Sequence, residues 1–259
     1  MNCAICQNQQ LKGGYFRIIF DAPEIARKAG AGQFVHVRIG ENSDPLLRRP
    51  FSIHDADGET GKLAVVYKVV GKGTEILSHM GKGDCCDLMG PLGNGYSPPE
   101  ESEFPVIVAG GYGSAAAYLL AKHAKSHGAL LLGAQSEADV ILDDCYESCG
   151  FELHIATNDG SRGTKGLVTD LIDPLLAAHP EAKFRFYACG PNPMLIALAK
   201  LLEEKHLSGE ISMDHLMCCG IGACFSCVVK LKDGDTWRYA RSCSEGPVFR
   251  ACDIYTGKD

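Results

Sequence analysis

The chain has 259 residues, 46% of them hydrophobic and 22% charged, a globular composition long enough for two compact domains or one large domain with an appendage. A formal charge of -7 argues against nucleic acid or an anionic membrane surface as the main partner. The longest apolar runs, such as ALLLGA at 129–134, are too short to span a bilayer.

The opening residues, MNCAICQNQQ, lack the basic and apolar regions of a signal peptide, so a cytoplasmic location is expected. Cys3 and Cys6 form a lone pair at a terminus expected to fray without binding metal. YFRIIFDA, QFVHVRIG and KLAVVYKVV are short β-branched or aromatic stretches bounded by turn residues, and together they predict an antiparallel barrel. RRPFSI, at 48–53, sits on a strand. The planar fork of Arg49 suits a pyrophosphate, and the hydroxyl of Ser52 could meet a flavin ring edge. In VVGKGTEIL, Gly71, Gly73 and Thr74 precede a helical EILSHM, whose free amides could hold phosphate; an ordinary turn and N-cap is the alternative.

SPPEESEF at 97–104 reads as a linker, after which the rhythm changes. FPVIVAGG is a buried strand, SAAAYLLAKHAKSHG a helix that Gly128 could end, and ALLLGAQ, FELHIATND and KFRFYACG are further strands. With helices at 167–178 and 192–206, the succession describes a doubly wound parallel sheet. Gly110, Gly111 and Gly113 lie between strand and helix, where a nucleotide can approach the backbone or where a tight turn simply needs glycine. ACGPNPM repeats that arrangement. Its Cys189 either touches a nicotinamide or is a small buried hydrophobe. No internal repeat or low-complexity tract interrupts the chain.

From about residue 210 the pattern breaks into a cysteine-rich tail. In a reducing compartment thirteen cysteines rarely make structural disulfides, and an odd number cannot all pair. Cys219-x4-Cys224-x2-Cys227 has the plant-type [2Fe-2S] spacing, with Cys243 the natural fourth ligand and Cys252 an alternative. Gly220 and Gly222 would let the backbone wrap a cluster and aim amides at its sulfurs. Zinc is the competing metal, though its usual spacing is C-x2-C twice over.

AGQFVHV, RRPFSI, YKVVGKGTEILS, GPLGNGY, NDGSRGTKGLVTDLI, ACGPNPML, CGIGACFSC and CSEGPVF, in this order, resemble the ferredoxin–NADP reductase superfamily. Within it they are most similar to the iron–sulfur flavoprotein, electron-transfer subunits of type B dihydroorotate dehydrogenase. The resemblance implies that Arg49, Pro50, Phe51, Ser52, Val66, Tyr67, Lys68, Gly73 and Thr74 hold FAD, and that Cys219, Cys224, Cys227 and Cys243 hold a [2Fe-2S] cluster. Gly110, Gly111, Gly113, Cys189, Gly190 and Pro191 are the candidate site for NAD(H). This chain departs from the family at Tyr112 and lacks a nearby proline. The acids after ALLLGAQ favour NAD over NADP, with Arg162 as a possible opposing charge.

The expected architecture is an FAD-binding barrel at 1–98, an NAD-binding α/β domain at 99–209 and a [2Fe-2S] domain at 210–259. The resemblance also implies an FMN-bearing catalytic partner that oxidises dihydroorotate to orotate, in a heterotetramer. No residue here is expected to act as a catalytic base. The rival readings are a subunit of a sulfhydrogenase or of a bifurcating ferredoxin–NADP oxidoreductase, a non-catalytic redox sensor, and a zinc-stabilised binding module. The bifurcating type typically has aspartate where this chain has Cys219.

Overall fold

The computed structural model describes residues 1–40, 44–213 and 215–257. Six antiparallel strands close a barrel: β1 (Asn2–Gln10), β2 (Tyr15–Asp21), β3 (Phe34–Arg38), β4 (Arg49–Asp57), β5 (Lys62–Lys68) and β6 (Cys85–Leu92), in the order β1-β2-β5-β4-β3-β6. A single-turn α1 (Pro23–Ala26) follows β2, and α2 (Lys72–His79) follows β5. Alternation along the strands sends Ile18 and Phe20, Val35 and Val37, and Leu63, Val65 and Tyr67 into one core. The opposite face of β5 is covered too, since Val66 packs against Ala115, Ile141 and Leu142 of the next layer. KLAVVYK therefore reads as a nearly continuous apolar run.

The terminus expected to fray is a barrel strand instead. Cys3 and Ile5 are buried, and β1 pairs with both β2 and β6, which closes the barrel. Cys6, three residues on from Cys3, is only half-buried. The polar second half of MNCAICQNQQ hid this strand: Gln7, Gln9 and Gln10 are exposed, and Asn8 turns inward to bond Tyr67.

The second layer comprises β7 (Glu103–Gly110), α3 (Gly113–His123), β8 (Ala129–Ala134), α4 (Asp143–Ser148), β9 (Glu152–Thr157), β10 (Thr164–Lys165), α5 (Ile172–Ala178), β11 (Lys183–Cys189), α6 (Asn192–Glu204) and β12 (Ser208–Ser212). Its parallel sheet has the order β10-β9-β8-β7-β11-β12. Val106 and Val108 face the core shared with α5 and α6, while Ile107 and Ala109 face the core shared with α3 and α4. The sheet is doubly wound, as its strand–glycine–helix rhythm predicts. Helix α3 ends at His123, short of Gly128. A Cβ at Gly128 would lie 2.4 Å from the Pro105 carbonyl oxygen, so this glycine serves a close strand approach rather than a cap.

The tail adds a hairpin of β13 (Val228–Asp233) and β14 (Thr236–Arg241), then β15 (Val248–Arg250), which lies antiparallel beside β12. The expected boundary at 98/99 falls in the irregular segment between β6 and β7. That at 209/210 falls inside β12, and β15 of the tail completes the same sheet. Val229, Leu231 and Ala240 of the hairpin share the core of α5 and α6. Burial of these apolar side chains ties the tail to the sheet layer. Among the described residues no helix is long and apolar enough to cross a membrane.

Strand β4 and helix α3 join the barrel to the sheet layer. His54, 2% exposed, stacks on Tyr118 with ring centroids 4.7 Å apart, and its Nδ1 donates to the Ala115 carbonyl at 3.2 Å. Lys122 reaches Asp55 at 2.7 Å. Burial pushes His54 down from its ordinary 6.5 to about 4, so the ring is neutral. An unfolded chain takes up this proton near pH 6.5, and the folded chain only near pH 4, so stability rises with pH across that window. Between pH 7 and pH 4, the wild type should lose on the order of 3 kcal/mol more than His54→Gln in urea unfolding. A stability difference independent of pH would show that His54 is not held neutral.

Candidate functional site

Residues 218–227 form a loop with two left-handed glycines, Gly220 at φ 71° and Gly222 at φ 79°. The turn brings the sulfurs of Cys219 and Cys224 to 3.3 Å. Cys243, just beyond β14, packs with Cys227 and accepts a hydrogen bond from the Gly222 amide at 3.1 Å. The four candidate sulfurs thus come as two pairs. Among the described residues no three or more His, Cys, Asp or Glu side chains are arranged to hold a single metal ion. Two thiolate pairs fit a two-iron cluster, with two ligands to each iron, better than one tetrahedral zinc. Cys252 lies apart, exposed beside Arg185 and Arg250, and the Cys218 thiol donates to the Ser226 hydroxyl at 3.2 Å.

Local electrostatics distinguish the sulfurs. Burial pushes the Cys219 thiol up, but hydrogen bonds from the amides of Ile221, Cys224 and Ala223 and from the Cys224 thiol outweigh it and hold the pKa at about 6. Burial, with Cys227 alongside, pushes Cys243 up to about 11. The loop rests on the barrel. A Cβ at Gly220 would lie 2.5 Å from Nδ1 of His36, a fully buried side chain of β3. Cys227 and Cys243 pack with Met217, Phe34 and Leu92. GPLGNGY meets CSEGPVF: the Asn94 amide donates to the Gly246 carbonyl at 2.6 Å, and its side chain to the Glu245 carbonyl at 2.8 Å.

On the barrel, Arg49 and Gly73 are brought into contact. A Cβ at Gly73 would sit 3.2 Å from Nε of Arg49, so the guanidinium lies along the start of α2. Thr74 caps that start, its hydroxyl accepting from the amides of Val70 and Gly71 at 2.9 and 3.2 Å. The capping role and a phosphate cradle are compatible here, because the Thr74 hydroxyl takes the Val70 and Gly71 amides and not those of the first helical turn. Arg49, Pro50, Phe51 and Ser52 are all half-buried. Ser52 shares a strand face with His54, which places its hydroxyl toward the groove between barrel and sheet. Val66 and Lys68 face the same groove. Tyr67 points inward, its ring 5.7 Å from that of Phe51 and its hydroxyl donating to Asn8 at 3.2 Å. Its side chain supports Phe51 from within.

A cleft of about 590 Å³ opens at the C-terminal ends of β7, β8 and β11. The chain runs outward from β7 to β9, then returns to lay β11 on the other side of β7. The cleft therefore lies at the switch point of the sheet, where such folds bind nucleotides. Gly110, Gly111 and Pro191 line it. Gly113 and Gly190 let the two turns pack together instead: a Cβ at Gly113 would lie 2.0 Å from the Cys189 carbonyl oxygen, and one at Gly190 2.9 Å from the Gly110 amide nitrogen. Cys189 is itself buried.

The barrel contributes Tyr15 and Lys68 to this cleft. Lys68 Nζ donates to Asp139 at 2.7 Å, and the Tyr15 hydroxyl donates to the same oxygen at 3.3 Å. Tyr112 lines the mouth, 43% exposed. Tyr15 and Asp139 carry no motif, and Asp139 is visible in the sequence only as one of the acids after β8. His36 lies within AGQFVHV, but nothing there marks its contact with the cysteine loop.

Residues 214–255 match the family model described as the iron-sulfur cluster binding domain of dihydroorotate dehydrogenase B. The dihydroorotate dehydrogenase B (NAD(+)), electron transfer subunit, of Desulforamulus reducens is 43% identical over 238 residues, covering 91% of this chain and 90% of the relative. That of Fusobacterium nucleatum is 37% identical over 258 residues, covering 98% and 97%. The solved NADH-dependent reduced ferredoxin–NADP oxidoreductase, studied for flavin-based electron bifurcation, aligns with a TM-score of 0.84 at 30% identity, over 98% of this chain and 89% of that one. A ferredoxin NADP+ reductase from Neisseria gonorrhoeae with bound FAD and NADP shares the fold, with a TM-score of 0.62 at 18% identity, over 84% of this chain and 92% of that one.

The loop geometry fixes two outcomes. Gly220→Ala combines a left-handed φ with a clash on His36, so anaerobically purified variant should carry little iron while keeping its barrel fold by circular dichroism. Cys243→Ser should likewise lose iron and Cys252→Ser should retain it. Iron loss from the Cys252 variant alone would reassign the fourth ligand.

Proposed function

The chain belongs to the electron-transfer subunits of type B dihydroorotate dehydrogenase, and we propose that it moves electrons between a catalytic partner subunit and NAD(H) in the oxidation of dihydroorotate to orotate. The observation that carries this reading is the seating of two cysteine pairs on a barrel that also borders a switch-point nucleotide cleft. Bound FAD supplies the exchange between a hydride and single electrons, and a [2Fe-2S] cluster passes electrons one at a time. In balance, dihydroorotate and NAD+ give orotate, NADH and a proton.

The residues of the chain bind, orient and screen. Arg49 and the start of α2 would hold the FAD pyrophosphate and offset its charge, and the Ser52 hydroxyl would hydrogen-bond the flavin. Gly110, Gly111 and Pro191 admit the nicotinamide nucleotide to the backbone. The amides of Gly222 and Cys224, which point at cysteine sulfurs, stabilise negative charge there.

The partner in this reading bears FMN and assembles with this chain as a heterotetramer in the cytoplasm. Support for a docking face at the cluster loop comes from Leu216, Ile221 and Phe225, which are 80%, 58% and 68% exposed beside the cysteines. The likeness to the bifurcating oxidoreductase favours a second reading, in which the chain handles NAD(P)H for another redox complex. Cys219 stands against it. Mixing the purified chain with its co-purifying partner and following dihydroorotate-dependent NADH formation separates the two.

Arg49→Ala removes a charge-assisted contact worth about 1.5–3 kcal/mol, so FAD affinity should fall by roughly ten- to a hundredfold. FAD content unchanged on dilution would count against the site. A Cys224→Ser variant should still reduce an artificial dye with NADH, which needs only FAD, but should fail to exchange electrons with the partner. Equal loss of both activities, with FAD retained, would remove the cluster from the route.

A further inference from the structure

We infer that the ion pair between Arg162 and Asp143 makes the nucleotide cleft select NAD(H) over NADP(H); the inference rests on the nicotinamide-nucleotide reading given above. In a doubly wound sheet the adenosine ribose lies near the end of the second strand, where an acid accepts from a 2′-hydroxyl or an arginine holds a 2′-phosphate. Here that strand is β8, and Ala134 and Gln135 at its end line the cleft. Asp139, the carboxylate that lines the cleft beyond this end, already accepts from Lys68 and Tyr15, so the choice falls to the cations around it.

The 158–163 loop folds over this end. The amides of Asn158 and Asp159 donate to the carbonyls of Ala134 and Gln135 at 3.0 and 3.3 Å, and the Glu137 amide donates to the Ser161 hydroxyl at 2.8 Å. Arg162 belongs to this loop, and its backbone is fixed. The hydroxyl of fully buried Thr157 donates to its carbonyl at 2.8 Å and accepts from its amide at 3.1 Å. Gly163 follows at φ 67°, where a Cβ would lie 2.1 Å from the Ile155 carbonyl oxygen. Only the Arg162 side chain retains a choice.

That choice is already made. A guanidinium nitrogen of Arg162 lies 2.6 Å from a carboxylate oxygen of Asp143, the first residue of α4, and both side chains are largely shielded from water. Lys68 is held by Asp139 in the same way. Lys165, in β10 just beyond the loop, is exposed with its stem along Gly160. Glu137 and Asp144 add two more carboxylates. A 2′-phosphate would have to take Arg162 from Asp143 and leave a shielded carboxylate unpaired beside a dianion, an arrangement that electrostatics disfavours. A 2′-hydroxyl asks for none of this.

The test compares the binding of 5′-AMP with that of adenosine 2′,5′-bisphosphate by calorimetry on the FAD-loaded chain, followed by NADH and NADPH kcat/KM with a dye. The wild type should favour 5′-AMP. Asp143→Asn should tighten the bisphosphate by about tenfold, the size of one charge-assisted contact, with 5′-AMP unchanged and a matching rise in NADPH efficiency. Arg162→Ala should leave the wild-type preference as it was. No gain in Asp143→Asn overturns the proposal. Weaker bisphosphate binding in Arg162→Ala overturns it too, even if Asp143→Asn does not fold, because Arg162 would then already be reading the phosphate. If the wild type binds neither nucleotide, the cleft is not a dinucleotide site, and the functional reading falls with the proposal.

Discussion

Helix α3 begins so close to β11 that Gly113 has no room for a side chain: the Cys189 carbonyl oxygen would stand 2.0 Å from its Cβ. This contact sets the floor of the cleft, since it locks the Gly110–Gly113 turn against the Gly190–Pro191 turn. The same helix then runs along β4 of the barrel. Ala115 accepts from His54, Tyr118 stacks on it, and Lys122 pairs with Asp55. One helix thus fixes the nucleotide turn relative to the strand that carries Ser52. Moving either end of α3 would move both candidate sites at once.

The tail depends on both layers in turn. Its hairpin shares the core of α5 and α6, β15 extends the parallel sheet, and its cysteine loop rests on His36, Phe34 and Leu92 of the barrel. Among the described residues its buried apolar side chains belong to cores shared with the other layers. Cys227 of the loop and Cys243 beyond β14 are buried against the barrel, while Cys219 and Cys224 are partly open to solvent. An electron carrier placed between those pairs would have one side toward the barrel and the other toward the exposed Ile221 and Phe225.

Features carried by local spacing were legible in the sequence. The C-x4-C-x2-C run identified the loop, and strand–glycine–helix successions identified the sheet, because each depends on residues close together in the chain. What depended on distant partners was hidden. MNCAICQNQQ is polar enough to look frayed, and it becomes a strand only because β2 and β6 flank it on both sides. Residues 209 and 210 looked like a boundary, yet β12 runs through them, since the sheet needs a strand beside β11. The Tyr15–Asp139–Lys68 contact joins residues up to 124 positions apart, and neither Tyr15 nor Asp139 carries a motif. Arg162 was visible as a charge, but its pairing with Asp143 was not.

The two kinds of electron transfer ask different things of the protein. Hydride transfer requires reacting atoms at roughly 3–3.5 Å in defined alignment, so flavin and nicotinamide must be held by a stiff frame. The β4–α3 contact and the clash-limited glycines of the cleft supply that stiffness. A single electron needs no such contact between donor and acceptor atoms, and a glycine loop at the surface can serve it. The chain accordingly places its closest backbone approach at the cleft and sets the exposed Leu216, Ile221 and Phe225 around the cysteines, where another subunit has to reach.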